Sequence, residues 1–329
     1  MDELSNKLVS IIIVTFGIED YLKHCLDSIK KQSYPELEII VIDNSPNQSA
    51  VQEISKSSPC AQEPGKSYRG IKVYSGMKNL YYCAGLNKGI EISSGDFVLC
   101  LNDDVILNKE FIGEALKGFD IEPRVAIVSG KILRFDRESI DSAGLVLTLW
   151  RTARERGYGL RDRGQFEKEG YIFGVNGAVA FYRREMLEEI KQGKDYFDSD
   201  YRFFYEDLDI AWRAQNFGWR GYYIPSAIAC HIRGGSLRTK AGKAKPYARM
   251  YLSDALHFDL IKNRYLTIIK NESWVSFLIH LPAIILYDLV IWSYVLLFNP
   301  CLIKLFLVSM PEYLDSAFIK RKKKNALSS

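Results

Sequence analysis

The stretch DFVLCLNDDVIL, residues 96–107, sets five apolar residues, Phe97 to Leu101, directly against Asn102-Asp103-Asp104. The apolar run suits a buried strand. Adjacent carboxylates repel, and desolvating either one is costly. A strand that ends this way either emerges into solvent or meets a cation.

The segments upstream repeat the pattern. LVSIIIVTF (8–16), LEIIVIDNS (37–45) and IKVYS (71–75) read as strands. EDYLKHCLDSIKKQ (19–32) has helical spacing, with Tyr21, Leu22, Cys25, Leu26 and Ile29 on one face, and AGLNKGIEIS (84–93) reads as another helix. Near-continuous apolar strands separated by helices imply an α/β chain with a parallel sheet covered on both faces. Ligands bind such a sheet beyond the carboxyl ends of its strands. Three strands end in polar residues: Thr15, Asp43-Asn44 and Asn102-Asp103-Asp104. Each alone reads as a turn or a helix cap; together they mark one edge as a site. There is no GxGxxG after the first strand and no GxxxxGK[ST] anywhere, which argues against a dinucleotide fingerprint and a P-loop.

In the second half, VAIVSGKILRF (125–135) and LVLTLW (145–150) read as strands, and YIFGVNGAVAFYRREMLEEI (171–190) as loop, strand and helix. Asp207 to Asn216 forms a helix stopped by Gly218, and WRGYYI and AIACHI are two short strands. A charge of +4 over 329 residues does not demand a nucleic-acid partner, and the basic residues are not interleaved with stacking aromatics. The six cysteines show no CxxC spacing, which suggests reduced core residues and no zinc site, and the acidic, polar N-terminus does not read as a signal peptide.

Residues 274–298, WVSFLIHLPAIILYDLVIWSYVLLF, are long enough to span a bilayer, but His280, Pro282 and Asp288 interrupt them. A shorter apolar piece (301–309) and the basic run 320–324 follow. With the α/β half and the basic tail on the same side, these segments are expected to lie in the interface with the tail on anionic lipid. A soluble core or dimer-forming hairpin is the alternative. The expected division is residues 1–245 and 246–329.

VSIIIVTF, EIIVIDNS, GLNKGI, LNDDVIL, GVNGAVAFYRREML, FFYEDLDIAWRAQNFGW and YIPSAIACHIRGGS occur in the order seen in inverting glycosyltransferases of family 2. The chain resembles that family over about residues 8–240, with KNRYL (262–266) also familiar, and within it bacterial rhamnosyltransferases of cell-surface polysaccharide assembly. The resemblance implies the GT-A fold: Rossmann-like, with a mostly parallel central sheet, helices on both faces and a hydrophobic helical C-terminal region. It implies Mg²⁺ or Mn²⁺ on the donor diphosphate. Asp104 is the expected metal ligand, since Asn102 stands where the first acid of a DxD could be; Asp103 would face the ribose or a water. His231 matches a metal- or diphosphate-contacting histidine, and the basic segment from Arg233 a loop closing over the diphosphate.

The resemblance also places Asp43 on the nucleotide base, Thr15 with Phe16 beneath it, and Asn87 and Lys88 on the ribose or diphosphate; an exposed helix lysine is the plain reading of Lys88. Asp207, of the Glu206-Asp207 pair, matches the general base. From spacing alone, Glu206 and Asp209 share a helix face and Asp207 points elsewhere. The implied reaction moves a sugar, L-rhamnose from dTDP-rhamnose first, onto a lipid-linked saccharide at the cytoplasmic face of the bacterial inner membrane. A UDP-hexose or galactofuranose donor is the rival, and a non-catalytic nucleotide-sugar-binding protein is the alternative of another class. No QxxRW motif is present, which disfavours a processive synthase.

Overall fold

The computed structural model describes residues 6–17, 21–46, 48, 50, 54, 71–76, 79–233 and 252–327. Strands β1 (Val9–Thr15), β2 (Leu37–Asp43), β3 (Ile71–Ser75) and β4 (Phe97–Asn102) pair in parallel in the order β4-β1-β2-β3. Their helices are α1 (Tyr21–Lys30) and α2 (Tyr81–Glu91). The alternation of the pleat divides the core between the two faces. Ile11, Ile13 and Val41 pack with Leu22, Leu26 and Ile29 of α1. Ile12, Ile40 and Ile42 pack with Cys83, Leu86 and Ile90 of α2. Gly89 lets α2 sit directly on β1, since a Cβ there would fall 2.3 Å from Ile12 Cγ2.

After the turn at Asp103-Asp104 come β5 (Val105–Leu107), α3 (Phe111–Leu116) and β6 (Val125–Arg134). Short strands β7 (Ile140–Ser142), β8 (Leu145–Leu147), β9 (Ala153–Glu155) and β10 (Gly170–Ile172) lead to β11 (Val179–Arg183), α4 (Arg184–Ile190), α5 (Glu206–Asn216) and β12 (Arg220–His231). The ten-stranded sheet runs β10-β12-β6-β11-β4-β1-β2-β3, with β5 on β12 and β7 on β6; β8 and β9 form a separate hairpin. The fold is GT-A. The two short strands expected at 219–232 are one strand with irregular pairing between Ile224 and Ile228, and the strand expected at 145–150 stops at Leu147.

Topology decides what meets at the sheet edge. β11 is antiparallel to both β4 and β6, and β12 is parallel to β6, so β12 runs with β1 and β4. Thr15 is in register with Asp43, and Val14 with Asn102. The carboxyl ends of β1, β2, β4 and β12 therefore share one edge with the amino end of β11.

The C-terminal helices are α6 (Asp254–Asn271), α7 (Trp274–Phe298) and α8 (Cys301–Leu327). The division expected at residue 245 falls outside the described residues, and α6 packs against the segment leading into α5. Its fully buried Lys270 lies 2.5 Å from Asp198 and 2.9 Å from Asp209, while Lys320 of α8 reaches Asp198 and Asp200 at 2.5 Å each. Arg213 also holds Asp209, at 3.0 Å. Burial opposes ionisation of Asp198 and Asp209, but these cations outweigh it and hold both carboxyls below the usual range. A depressed carboxyl stabilises the fold above its unfolded value of about 4 and loses that contribution as pH falls through the folded value. Replacing Lys270→Met leaves two buried carboxylates short of a cation and costs about 3–5 kcal/mol. The melting temperature of this variant at pH 7 is expected to fall well below that of the native chain, and the gap to narrow on acidification.

Candidate active site

The edge opens into a cleft of about 420 Å³ lined by both suspected groups, Asp103, Asp104, His231 and Arg233 on one side and Glu206 and Asp207 on the other. The tight turn after β4 delivers the first group. Thr15 Oγ1 donates to Asp103 Oδ2 at 2.5 Å, tying the ends of β1 and β4 together. Burial lifts the Asp103 carboxyl to about 6, with Asp104's charge adding and the Thr15 bond opposing. His231 pairs across from Val105, which brings its Nε2 within 3.2 Å of Asp104 Oδ1. Its Nδ1 donates to Asp141 Oδ2 at 2.9 Å, and Asp141 also accepts from Arg233 Nε at 2.5 Å and Nη2 at 3.0 Å. Burial alone would lower the imidazole's pKa; the bonds to Asp104 and Asp141 outweigh it and raise it to about 9.

These residues fit a divalent cation that displaces the proton on His231 Nε2, since a ligating imidazole must be neutral. Ligands at about 2.1 Å and right angles stand about 3 Å apart, and Asp104 Oδ1 and His231 Nε2 are separated by 3.2 Å. Asp141 behind the ring is the outer partner that metal-bound histidines use. No group of three or more His, Cys, Asp or Glu suited to a metal occurs among the described residues. The remaining positions on the ion would therefore fall to a bound diphosphate and water.

The opposite wall depends on a strained turn. Phe204 and Tyr205 are both left-handed, at φ 69°, immediately before Glu206. Consecutive left-handed non-glycine residues persist only when their surroundings enforce them. Asn263 of α6 does so: its Nδ2 donates to Phe203 O at 2.7 Å and to Phe204 O at 2.9 Å. Lys262 adds a bond to Asp200 O at 2.6 Å. The turn sends Glu206 and Asp207 both into the cleft and Asp209 inward to Arg213 and Lys270. The helical spacing had grouped Glu206 with Asp209; the tertiary cations on Asp209 and the turn before Glu206 override it.

Asp207 Oδ2 accepts from Gly177 N at 3.2 Å, and Oδ1 from Leu208 N at 2.7 Å. Gly177 eases this approach, since a Cβ there would lie 3.1 Å from Glu206 Oε1 and push that carboxyl aside by a few tenths of an ångström. Glu206 Oε2 has no hydrogen-bond partner among the described residues. Burial raises both carboxyls, and Asp207's charge adds to the shift of Glu206, which reaches about 8.

Other expected residues are placed elsewhere. Asn87 accepts from Tyr196 N and Phe197 N and donates to Phe197 O, so its amide pins the chain at 196–197 and is not free for a donor. Lys88 pairs with Glu91 at 2.9 Å and stands over the Tyr74 ring, away from the cleft, as an ordinary helix-surface lysine. Asp43 sits on the correct edge, but its carboxylate accepts from Ser45 N, Ser45 Oγ and Ala50 N and shapes the turn after β2. Phe16 is exposed and lines the cleft. The loop expected to close from Arg233 lies, beyond that residue, outside the described residues.

Two contributors escaped the sequence. Tyr82 OH bonds Asn102 Oδ1 at 2.9 Å and Gly177 O at 3.0 Å, bridging the cleft walls; Asn102 is thereby a structural partner. Glu155, at the end of β9, accepts from Asn176 Nδ2 at 2.5 Å and from Ser142 Oγ. Burial, reinforced by Asp207's charge, pushes it to about 8. The sequence shows it only as one acid among arginines.

The family model for glycosyl transferase family 2 matches residues 10–191. The chain belongs to glycosyl transferase family 2. A poly-beta-1,6-N-acetyl-D-glucosamine synthase of Staphylococcus epidermidis is 22% identical over 220 residues, 67% of this chain and 48% of the synthase. A dolichyl N-acetyl-alpha-D-glucosaminyl phosphate 3-beta-D-2,3-diacetamido-2,3-dideoxy-beta-D-glucuronosyltransferase of Methanococcus voltae is 23% identical over 294 residues, 88% of this chain and 84% of its own. Among solved structures, GalNAc-T7 with UDP, GalNAc and Mn²⁺ superposes with a TM-score of 0.58 at 13% identity, over 82% of this chain and 48% of its own. The chain thus spans about half the length of the staphylococcal synthase and of GalNAc-T7. The family match ends before Glu206.

Asn263→Ala frees the left-handed turn and is expected to cut turnover about 10- to 100-fold through misplacement of Asp207, with donor affinity unchanged. Adding Tyr205→Gly, which adopts positive φ without strain, should recover part of the rate. Equal loss of donor affinity and turnover, without recovery, would point to general unfolding instead.

Proposed function

We propose that this chain is a metal-dependent, inverting glycosyltransferase that moves a sugar from a nucleotide donor to a lipid-linked saccharide. One observation carries the reading: an Asp104–His231 pair able to take a cation and a Glu206–Asp207 pair of raised pKa line the same cleft. A cation at Asp104 and His231 supplies neutralisation of the diphosphate and of the leaving group. Arg233 lines the same wall, and its charge suits the diphosphate.

Asp207 carries the proton transfer. Its carboxylate takes the proton of the acceptor hydroxyl as that oxygen forms a bond to the anomeric carbon. The bond from that carbon to the diphosphate breaks, and the nucleoside diphosphate leaves with the electron pair. Attack opposite the leaving group inverts the centre. The backbone amides of Gly177 and Leu208 orient the carboxylate, and burial raises its basicity toward the working range.

Two sugars compete as donor. The sequence resemblance favours dTDP-rhamnose, whereas the names of the two relatives above favour an N-acetylamino sugar. The acceptor is a saccharide on a membrane lipid, and the chain works at the cytoplasmic face of the bacterial inner membrane. The apolar α7 supports membrane association.

The test is a panel of dTDP-rhamnose, UDP-N-acetylglucosamine, UDP-glucose and UDP-galactofuranose with Mg²⁺ or Mn²⁺. Metal-dependent hydrolysis of one donor, lost in Asp104→Ala, is expected; no turnover and no donor-induced rise in melting temperature would favour the binding-protein alternative. Asp207→Asn should retain donor and lose transfer by about 10²–10⁴-fold.

The pH dependence follows from the sign of the shift. A carboxyl whose folded pKa is raised stays protonated to higher pH than an ordinary aspartate, so transfer by the native chain should rise with pH and level off once the carboxyl is ionised. The same group stabilises the fold below its unfolded value and destabilises it increasingly as pH rises toward the folded value. Asp207→Asn should therefore gain melting temperature relative to the native chain, more at pH 8 than at pH 5. A smaller gain at pH 8 would contradict the assignment.

A further inference from the structure

Among the described residues, α7 is the helix long and apolar enough to cross a membrane. At 1.5 Å per residue its 25 residues extend about 37 Å. Its polar partners, however, run along the whole of one side. Near its start, Arg151 Nη2 bonds Ser276 Oγ at 2.6 Å and His280 Nδ1 at 2.8 Å. Arg264 Nη1 donates to Asp288 at 2.5 Å, and Trp292 Nε1 to Tyr265 OH at 3.0 Å. Just past its end, Asn299 Nδ2 donates to Asp254 Oδ1 at 2.7 Å. From first turn to last, α7 lies against α6 and the β8–β9 turn. A transverse pose would carry Arg151, Arg264 and Asp288 into hydrocarbon, where charged groups are strongly disfavoured.

The outer face is a continuous stripe. Val275, Ile279, Leu286, Val290 and Leu297 recur at intervals of four and seven, each more than half exposed. Leu149 and Trp150, exposed beside Arg151, extend it toward the hairpin that holds Glu155. Charge specifies what covers the stripe. The Arg321 guanidinium lies 5.2 Å from the Trp274 ring centroid, and Lys322 and Lys323 are exposed next to it. Basic residues beside an interfacial tryptophan suit anionic headgroups. In a two-fold dimer built on this face, the same cations would contribute from both copies and disfavour the contact.

We propose that α7 lies in the plane of the bilayer rather than crossing it, with its apolar stripe in the acyl boundary and Arg321, Lys322 and Lys323 on anionic headgroups. This refines the membrane placement in the proposed function, and it does not depend on turnover.

The test uses the full chain with Cys60→Ser and Cys301→Ser, carrying an environment-sensitive fluorophore at Val275→Cys, Leu286→Cys or Leu297→Cys. It is bound to phosphatidylcholine–phosphatidylglycerol vesicles holding a nitroxide either near the headgroup or at the chain end. Quenching at all three positions by the headgroup-proximal nitroxide is expected. A deep Leu286 position between two shallow ends, or no quenching anywhere, overturns the proposal. The unlabelled native chain provides an independent measurement: it should sediment with phosphatidylglycerol-containing vesicles at least tenfold more tightly than with phosphatidylcholine alone. The double variant Lys322→Glu, Lys323→Glu should lose about tenfold or more. Equal affinity for both vesicles, or a stable dimer that ignores them, overturns it. Donor hydrolysis measured without vesicles separates failure here from failure of the transferase reading.

Discussion

Lys270 stands fully buried between Asp198 and Asp209, and the far wall of the cleft hangs on that arrangement. Asp209 belongs to the helix that begins with Glu206-Asp207, and Asp198 to the segment leading into it. A cation on α6 thus fixes both ends of the approach to Asp207, while Asn263, two turns earlier on the same helix, holds the left-handed turn between them. The charges are buried where replacing all of them by apolar residues could be equally stable. What the ionic arrangement supplies is position: it ties the direction of Asp207 to a helix more than fifty residues away in sequence.

The two walls solve opposite electrostatic problems. On the Asp104 side, His231, Arg233 and Arg134 surround Asp104 and Asp141 and hold the Asp141 carboxyl below its ordinary value, while burial lifts Asp103. On the Asp207 side, Glu206 and Glu155 crowd that carboxyl, and backbone amides supply the hydrogen bonds it receives. In the proposed reaction, acids crowded together on one wall suit a proton acceptor and acids paired with cations on the other suit a metal seat.

The sequence makes the sheet edge legible because its signal is local. A strand that is apolar until its end and then polar announces both its burial and its exit, and this holds for Thr15, Asp103 and Asp104. His231 was legible for the same reason at the end of β12. The far wall was not, because the interactions that shape it are distant in sequence. Nothing around Asn263 signals a bond to Phe204, and nothing around Lys270 signals Asp198. Asn87 shows the same limit: its motif pointed to the donor, but contacts with residues 196 and 197 consume its amide. Glu155 lay hidden among arginines, and Tyr82 in the first turn of a helix, where only the fold brings it to Asn102 and Gly177.

The C-terminal helices extend this logic, since α6 is a wall of the active site on one face and a seat for α7 on the other. The central claim is that one cleft holds the cation at Asp104 and His231 and presents the reactive carbon to Asp207. Anomalous diffraction from crystals of the chain with Mn²⁺ and an unreactive donor analogue tests it most directly. The account predicts a manganese peak bonded to Asp104 Oδ1 and His231 Nε2, with the anomeric carbon facing the Asp207 carboxylate. A peak remote from Asp104, or a sugar turned away from Asp207, would contradict it.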